Sequence, residues 1–478
     1  MSPTAVDGPR PHAAGIYAPE PEFYDEALDA SGAPRAHYAG LLEELAGTDL
    51  RALADRVASG IRERDVVFGA RAGVTSFRVD PIPRILPADE WETLRAGLAQ
   101  RVRALNRFIA DAYMDRRIVA AGRMPARVLE GADHYEPWLE GVPVPNGVYA
   151  GVAGLDVVRA PDGRFLVLED NVRTPSGLAY AIAARQVLAD CGPAAPEGLC
   201  PSTPALDLLG AALRSAAPNG AGDPSIVLLS DGPRNSAWWE HRRLGQALDL
   251  PIARLSDLEV RGDRVYAWLD AGPQPVDVIY RRTDQDRLRE RAGGATALAQ
   301  LLLEPIRAGT VACVNACGAG IADDKLVHAY VEEMVRFYLG EEPILASVPT
   351  YDLGEPEVRA QVLERLDELV VKPRVGHGGH GVVVCAHATR DDCDQVVRAL
   401  HEHPERFIAQ ETVLFSRHPT VCGSSLGPRH VDLRPYVICA GDAVTVVPGG
   451  LTRVAFREGA LVVNSSQDGG AKDTWVLA

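Results

Sequence analysis

Gly154-Leu-Asp-Val-Val-Arg-Ala-Pro-Asp-Gly-Arg-Phe-Leu-Val-Leu-Glu-Asp-Asn-Val-Arg173 reads as a strand, a tight turn and a second strand. Leu155, Val157 and Val158 belong to the first run, and Phe165-Leu-Val-Leu168 fills the second. Pro161-Asp-Gly163 between them is a turn signal, because proline presets φ and glycine tolerates φ > 0. Folding back at this turn brings Asp156 close to Glu169, with Asp170 and Asn171 at the same end. Two carboxylates and a carboxamide form a hard-oxygen cluster that suits Mg²⁺. Arg173 lies two residues beyond Asn171, on the same face if the strand continues. Taken alone, a D…E-x-N hairpin is read more readily as a surface turn with solvated acids, so the rest of the chain must decide.

The 478 residues correspond to about three domains. With 46% hydrophobic and 24% charged residues, the composition is that of a soluble globular protein. A net charge of −16 argues against a general nucleic-acid binder and against an anionic membrane surface. A phosphate-bearing small ligand needs only a local cluster of positive charge. No apolar run is long enough for a membrane span, and Met1 to Glu20 lacks the apolar core of a secretory signal. The eight cysteines are scattered without a two-pair metal spacing and read as free thiols of a reducing cytoplasm.

Around the hairpin the chain alternates helices and strands. Residues 1–20 read as a mobile tail, and Pro21 to Gly60 as helical, with Leu41, Leu42, Leu45 and Leu50 on one stripe. Gly69 to Pro87 is extended, since Asp80-Pro-Ile-Pro83 excludes a helix. A long amphipathic helix then starts at Pro87 and carries Leu94, Leu98, Val102, Leu105, Phe108 and Ile109. Strand-like Ile226–Leu229, Pro251–Arg254 and Val276–Tyr280 alternate with a helix over 236–248, which implies a small parallel-sheet α/β unit. Residues 296–340 read as largely helical. Strands are expected at 368–372, 382–385, 407–410, 430–439 and 443–447, with a helix over 391–401.

A second constellation is Lys372-Pro-Arg-Val-Gly-His-Gly-Gly-His-Gly-Val382. A lysine ends a buried-type strand and a glycine-rich loop follows. Such a loop lets backbone N–H groups close on phosphate oxygens, with the lysine adding a point charge. It matches neither the P-loop, whose lysine follows the glycines, nor the dinucleotide fingerprint, which opens a helix. A ligand-free glycine turn is the equal alternative. His377 and His380 fit a solvated or phosphate-facing loop better than a zinc site. Ala322-Asp-Asp-Lys325 places another lysine at a helix start. Phe407-Ile-Ala-Gln-Glu411 is a strand that could meet adenine and ribose, and Asp432-Leu-Arg434 puts an arginine on a strand.

Together these motifs resemble the ATP-grasp superfamily in rotated order. The element Asp156, Glu169, Asn171, Arg173 comes first, and Lys325, Lys372 with Gly376–Gly381, and Glu411 follow. That order is similar to the circularly permuted ATP-grasp family of type 2, whose relatives include glutathionylspermidine synthase-like carboxylate–amine ligases. Further family-like stretches are Tyr24-Asp-Glu26, Asp80-Pro-Ile-Pro-Arg84, Ser347-Val-Pro-Thr-Tyr351, Pro448-Gly-Gly-Leu-Thr-Arg453 and Gly470-Ala-Lys-Asp-Thr-Trp475.

The resemblance implies an α/β (α+β) protein with a permuted ATP-grasp fold and a small parallel-sheet pre-ATP-grasp domain. Its divisions would be a tail at 1–23, a helical and metal-binding part at 24–190, the small domain at 205–320 and the nucleotide-binding part at 321–478. It implies ATP with two Mg²⁺ held by Asp156, Glu169 and Asn171. Lys325, Lys372, Gly376, His377, Gly378, Gly379, His380 and Gly381 would hold phosphates, and Gln410 and Glu411 would line the adenine and ribose site. Arg173 and Arg434 would stabilise the transferring phosphoryl group, with Arg453 and Lys472 nearer the substrate. The two loop histidines depart from the serine or tyrosine usual in relatives. The implied reaction is ATP-driven amide formation from a small-molecule or peptide carboxylate and an amine, through an acyl-phosphate. A phosphotransferase or ATPase using the same clamp, and a degenerate nucleotide-binding scaffold, are the rival readings. Retention of Asp156, Glu169 and Asn171 speaks against the scaffold.

Overall fold

A computed structural model describes residues 17–70, 73–202, 204–218, 222–290, 292–376, 381–459 and 469–478. Most of the expected tail and the loop positions His377, Gly378, Gly379 and His380 lie outside the described residues.

The hairpin forms as the sequence suggests. Asp156–Arg159 pairs antiparallel with Phe165–Glu169, and Asp156 and Glu169 are direct cross-strand partners. Gly163 takes the left-handed conformation at φ +84°, and Ala160 N donates to Arg164 O at 2.9 Å across the turn. The hairpin lies inside a seven-stranded sheet. The spatial order is Ala346–Ser347, Phe165–Glu169, Asp156–Arg159, Ser425–Arg434, Leu451–Ala455 and Gly469–Lys472, and Arg417–Cys422 pairs with the outer half of Ser425–Arg434.

Two chain segments leave this sheet at matching points. Val152–Gly154 and Tyr436–Ala440 pair with each other in a separate three-stranded sheet completed by Ala443–Val446. Pro435 separates Tyr436–Ala440 from Ser425–Arg434. A proline donates no ladder hydrogen bond, which favours a strand break there.

A second, four-stranded antiparallel sheet faces the hairpin. Its order is Thr350–Asp352, Phe407–Glu411, Leu369–Pro373 and Val383–Val384. One face rests on its own apolar cluster, which includes Leu369, Val371, Val396, Leu400 and Ala409. The other face turns toward Leu168 and Glu169.

The small α/β unit has the parallel order Ala312–Val314, Val278–Arg282, Ile226–Ser230 and Ile252–Ala253. A three-stranded antiparallel meander over 258–276 is inserted in it. Its core is continuous with that of the hairpin, since Val157, Val167, Val227 and Ile279 belong to one apolar cluster. The helix Ala88–Tyr113 joins the same cluster through the stripe Leu94, Leu98, Val102, Leu105, Phe108 and Ile109, all fully buried.

Three expectations need correction. The segment 296–340 contains the buried strand Ala312–Val314, because a short apolar run carries no periodicity that separates strand from helix. The stretch 21–60 is not helical before Ala36; it then holds the single turn Ala36–Tyr38 and two helices, Ala39–Ala46 and Leu50–Glu63, and Asp49 caps the last by accepting from Ala52 N at 3.1 Å. The second strand of the hairpin ends at Glu169, so Arg173 is not reached by strand alternation. All eight cysteines are free. Among the described residues no helix is long and apolar enough to cross a membrane.

Candidate active site

A cleft opens between the hairpin and the four-stranded sheet. Strand pairing sets its chemistry. Lys372 pairs with Ile408 and Val370 with Gln410, so these four side chains share one face. Lys372, Ile408 and Gln410 therefore line the cleft together with Leu168 and Glu169 from the hairpin. The short helix Lys325–His328 closes a third side, with Asp324 as its cap accepting from Leu326 N at 2.8 Å. Arg374, one turn from the glycine loop, donates to Asp324 at 3.0 Å and to Val128 O at 2.8 Å, which ties the loop's first residues to the rest of the fold.

One ammonium group meets a carboxylate across the cleft and the other meets an amide oxygen. Lys325 Nζ lies 3.1 Å from Glu169 Oε1 and donates to Gly376 O at 2.9 Å. Lys372 Nζ donates to Gln410 Oε1 at 2.5 Å, and Gln410 Nε2 reaches across the cleft to Leu168 O at 3.3 Å. Burial lowers the Lys372 ammonium to about 8; Glu169 and Asp156 oppose the shift and Lys325 adds to it. Two facing lysines beside a single carboxylate make a cleft suited to an anion.

Asp156 sits deeper. Its carboxylate accepts from Arg434 Nε at 2.6 Å and Nη2 at 2.8 Å, and from Arg453 Nη2 at 2.8 Å. Burial would raise it, but Arg434 and Arg453 hold it below the usual carboxylate value. Arg453 also donates to Asp432 at 2.8 Å. In this arrangement Arg434 and Arg453 position Asp156. Arg173 has turned toward the small α/β unit, where Nη1 meets Asp286 at 2.9 Å and Nε lies 3.6 Å from Asp323. Asn315 fixes the backbone just before Arg173. Its amide donates to Val152 O and Val172 O, each at 2.6 Å, and accepts from Val152 N, so it bridges strand to loop as a backbone would.

The cleft lining includes none of Asp156, Asn171, Arg173, Arg434 or Arg453, and two further expected residues point elsewhere. Glu411 follows Gln410 on its strand and so faces the opposite side, where it accepts from Tyr351 and Arg365. Lys472 is fully buried and donates to Asp80, to Pro419 O at 3.0 Å and to Ile82 O at 3.3 Å. The sequence reading missed Asp323, which accepts from Val172 N at 2.6 Å and is raised by burial to about 7. It also missed the buried group Arg101, Asp170 and His328. One signal was present in composition. Of 49 lysines and arginines only three are lysine, Lys325, Lys372 and Lys472, and none sits on the open surface.

The residues present fit a magnesium ion that is shared with phosphate. Among the described residues no three His, Cys, Asp or Glu side chains form a self-sufficient metal cluster. Mg²⁺ does not require one, because it commonly binds through one or two carboxylates plus substrate phosphates and water. Glu169 borders the cleft, Asp156 is its cross-strand partner, and Asn171 follows two residues after Glu169. Glu169 and the Asn171 carbonyl offer hard oxygens, and both Asp156 oxygens already accept from Arg434 and Arg453.

Two sheets that hold a lysine-lined cleft between them define an ATP-grasp type of protein, with its acidic hairpin ahead of its lysines in the chain. The family description "Circularly permuted ATP-grasp type 2" matches residues 83–455, and the chain belongs to that family. An uncharacterized protein of Mycobacterium leprae is 40% identical over 464 residues, covering 95% of this chain and 82% of that protein. A Frankia casuarinae protein named "Putative glutamate--cysteine ligase 2-2" is 44% identical over 469 residues, which cover 96% of this chain and 54% of that protein. The apo structure of a glutathione synthetase-like effector from Globodera pallida superposes with a TM-score of 0.57 at 11% identity, covering 90% of this chain and 97% of that one. The last likeness concerns the fold alone.

Proposed function

We propose that the protein is an ATP- and Mg²⁺-dependent carboxylate–amine ligase that forms an amide through an acyl-phosphate. The observation that carries this reading is the meeting of Glu169, Lys325 and Lys372 in one cleft between two sheets. Two ammonium groups complement a polyphosphate, and the carboxylate beside them suits the metal that accompanies it. A relative named as a glutamate–cysteine ligase supports amide chemistry between a carboxylate and an amine. That protein extends well beyond the shared region, so its substrates are not carried over.

In this reading Lys325, Lys372 and the loop from Gly376 through His377, Gly378, Gly379 and His380 to Gly381 receive the phosphates. Gln410 stands at the nucleoside side, with Glu411 behind it. Asp156, Glu169 and Asn171 would hold Mg²⁺, which when bound offsets phosphate charge and polarises the transferring group. A substrate carboxylate oxygen attacks the γ-phosphorus, and the bond to the leaving ADP oxygen breaks. The amine nitrogen then attacks the acyl carbon, inorganic phosphate departs and the amine proton passes to water. Arg434, which holds Asp156 at the open end of the hairpin, and Arg173, which meets Asp286 in this structure, would lower the cost of charge on the phosphoryl group. No side-chain nucleophile is needed, because positioning and charge neutralisation supply the catalysis. The substrates are small molecules or peptides, in keeping with a net charge of −16 that does not favour nucleic acid.

Hydroxylamine tests the intermediate. A hydroxamate should accumulate only when ATP, Mg²⁺ and the carboxylate are all present. ADP release driven by the true substrates, with neither hydroxamate nor isotope-labelled acyl-phosphate, would overturn the ligase mechanism.

Lys372 gives a second test. Lys372→Ala should weaken ATP binding by about 1.5–3 kcal/mol, the cost of losing a charge-assisted contact. Because the Lys372 ammonium is lowered from 10.5 to about 8, ATP should take up protons when it binds near pH 8, as the phosphates recharge the amine. Titration calorimetry in buffers of different ionisation enthalpy reads both effects. An unchanged affinity and no proton uptake would remove Lys372 from the phosphate site.

A further inference from the structure

One wall of the cleft carries an acceptor that no described residue satisfies. His328 lines the cleft and is 4% exposed, and its Nε2 has no hydrogen-bond partner among the described residues. Its other nitrogen, Nδ1, lies 2.6 Å from Asp170 Oδ2. Two acceptors do not approach that closely without a proton between them, so Nδ1 carries the proton and donates it to Asp170. Asp170 is itself fixed by a two-pronged contact with Arg101, Nε at 2.6 Å and Nη2 at 2.8 Å. Burial keeps the ring from taking a second proton, and Arg101 and Lys372 act in the same direction against the pull of Asp170. Nε2 therefore presents a lone pair to the cleft.

The surroundings sharpen the requirement. Gln410 is engaged on both ends, by Lys372 and by Leu168 O with Thr350. Glu169 faces Lys325. Asp324 Oδ2 also lacks a partner, although Asp324 Oδ1 is held by Arg374 and Leu326 N. This wall thus offers acceptors, and its occupant must bring donors. Fully ionised phosphates have no donors. The nucleoside of ATP has them in the exocyclic amine of adenine and in the ribose hydroxyls.

We infer that His328, held in one tautomer by Asp170 and Arg101, is a specificity-determining residue whose Nε2 accepts a hydrogen bond from a donor on the nucleoside of ATP. The inference rests on the ATP reading of the cleft. It assigns to the long helix Ala88–Tyr113, through Arg101, a role in nucleotide choice that no motif of the chain announces. It also gives a reason for a carboxylate at Asp170, beside the proposed metal ligands yet turned away from them.

The test is an affinity series on the full chain with Mg²⁺, using ATP, purine riboside triphosphate, GTP, 2′-deoxy-ATP and 3′-deoxy-ATP. If the donor is the adenine amine, purine riboside triphosphate and GTP should bind roughly tenfold or more weakly than ATP, since each leaves the buried lone pair unmet. If the donor is a ribose hydroxyl, one of the deoxy analogues should show that loss instead. In His328→Phe, which keeps a flat ring without the lone pair, the ratio of ATP to the affected analogue should collapse toward one. A structural role alone would lower all affinities together and leave the ratios standing. Equal affinities for all five nucleotides in the unaltered protein would overturn the inference even if His328→Phe failed to fold. So would ratios that survive in a folded variant. Absence of any ATP binding would instead overturn the proposed function itself.

Discussion

Glu169→Gln is expected to reduce ADP formation by roughly 100-fold or more while leaving the protein folded. The substitution keeps size and shape but replaces the proposed anionic ligand with a neutral carbonyl oxygen. Mg²⁺ prefers hard anionic oxygens in near-octahedral geometry, so the ion would be held loosely against the phosphates. A misplacement of about 1 Å in a reacting group can cost roughly 100-fold in rate. Nucleotide affinity should fall much less, because Lys325 and Lys372 remain. Folding stability should change by only about 0–1 kcal/mol, since Glu169 meets Lys325 at 3.1 Å with its side chain one-third exposed to water. Glu411→Gln is the internal comparison. Glu411 shares a strand with Gln410 but faces Tyr351 and Arg365, so its loss should not alter the Mg²⁺ requirement. ADP formation against Mg²⁺ concentration separates the cases, and overlapping curves for Glu169→Gln and the unaltered protein would take Glu169 out of the site.

Lys472→Met should destabilise the fold by about 3–5 kcal/mol, the usual consequence of removing one partner of a buried ion pair. Asp80 would be left charged and buried, with only the amides of Ile82 at 3.0 Å and Val421 at 2.9 Å to hold it. The double substitution Asp80→Asn with Lys472→Met should recover much of the loss, because no uncompensated charge remains. Urea unfolding of the three proteins measures this. A Lys472→Met protein of normal stability that no longer forms ADP would show instead that Lys472 meets substrate.

The legible parts of the molecule were those whose signals are local. The hairpin announces itself through two apolar runs and a Pro-Asp-Gly turn, and the strand ending at Lys372 through its apolar lead and the glycines after it. The family emerges from the order of such motifs rather than from any one of them. What escaped the sequence depends on contacts between distant segments. Asp170 is adjacent to Glu169, but its partners Arg101 and His328 lie 69 and 158 positions away. Asn315 bridges Val152 and Val172 in a way that no spacing reveals. Gln410 and Glu411 looked equivalent until the register of their strand put them on opposite faces. The family resemblance put Lys472 near the substrate, and its buried pairing with Asp80 is a contact between segments 392 positions apart that no local signal announces.

That scarcity of lysine provides the most direct test of the central claim, that the cleft between the two sheets receives the phosphates of ATP. An adenosine polyphosphate ending in pyridoxal carries its aldehyde near the position of the terminal phosphate. After borohydride reduction, mass spectrometry need distinguish only Lys325, Lys372, Lys472 and the amino terminus. The label is expected on Lys325 or Lys372, blocked by excess MgATP, with Lys472 unmodified. Labelling that MgATP does not block, or that spares both Lys325 and Lys372, would contradict the account.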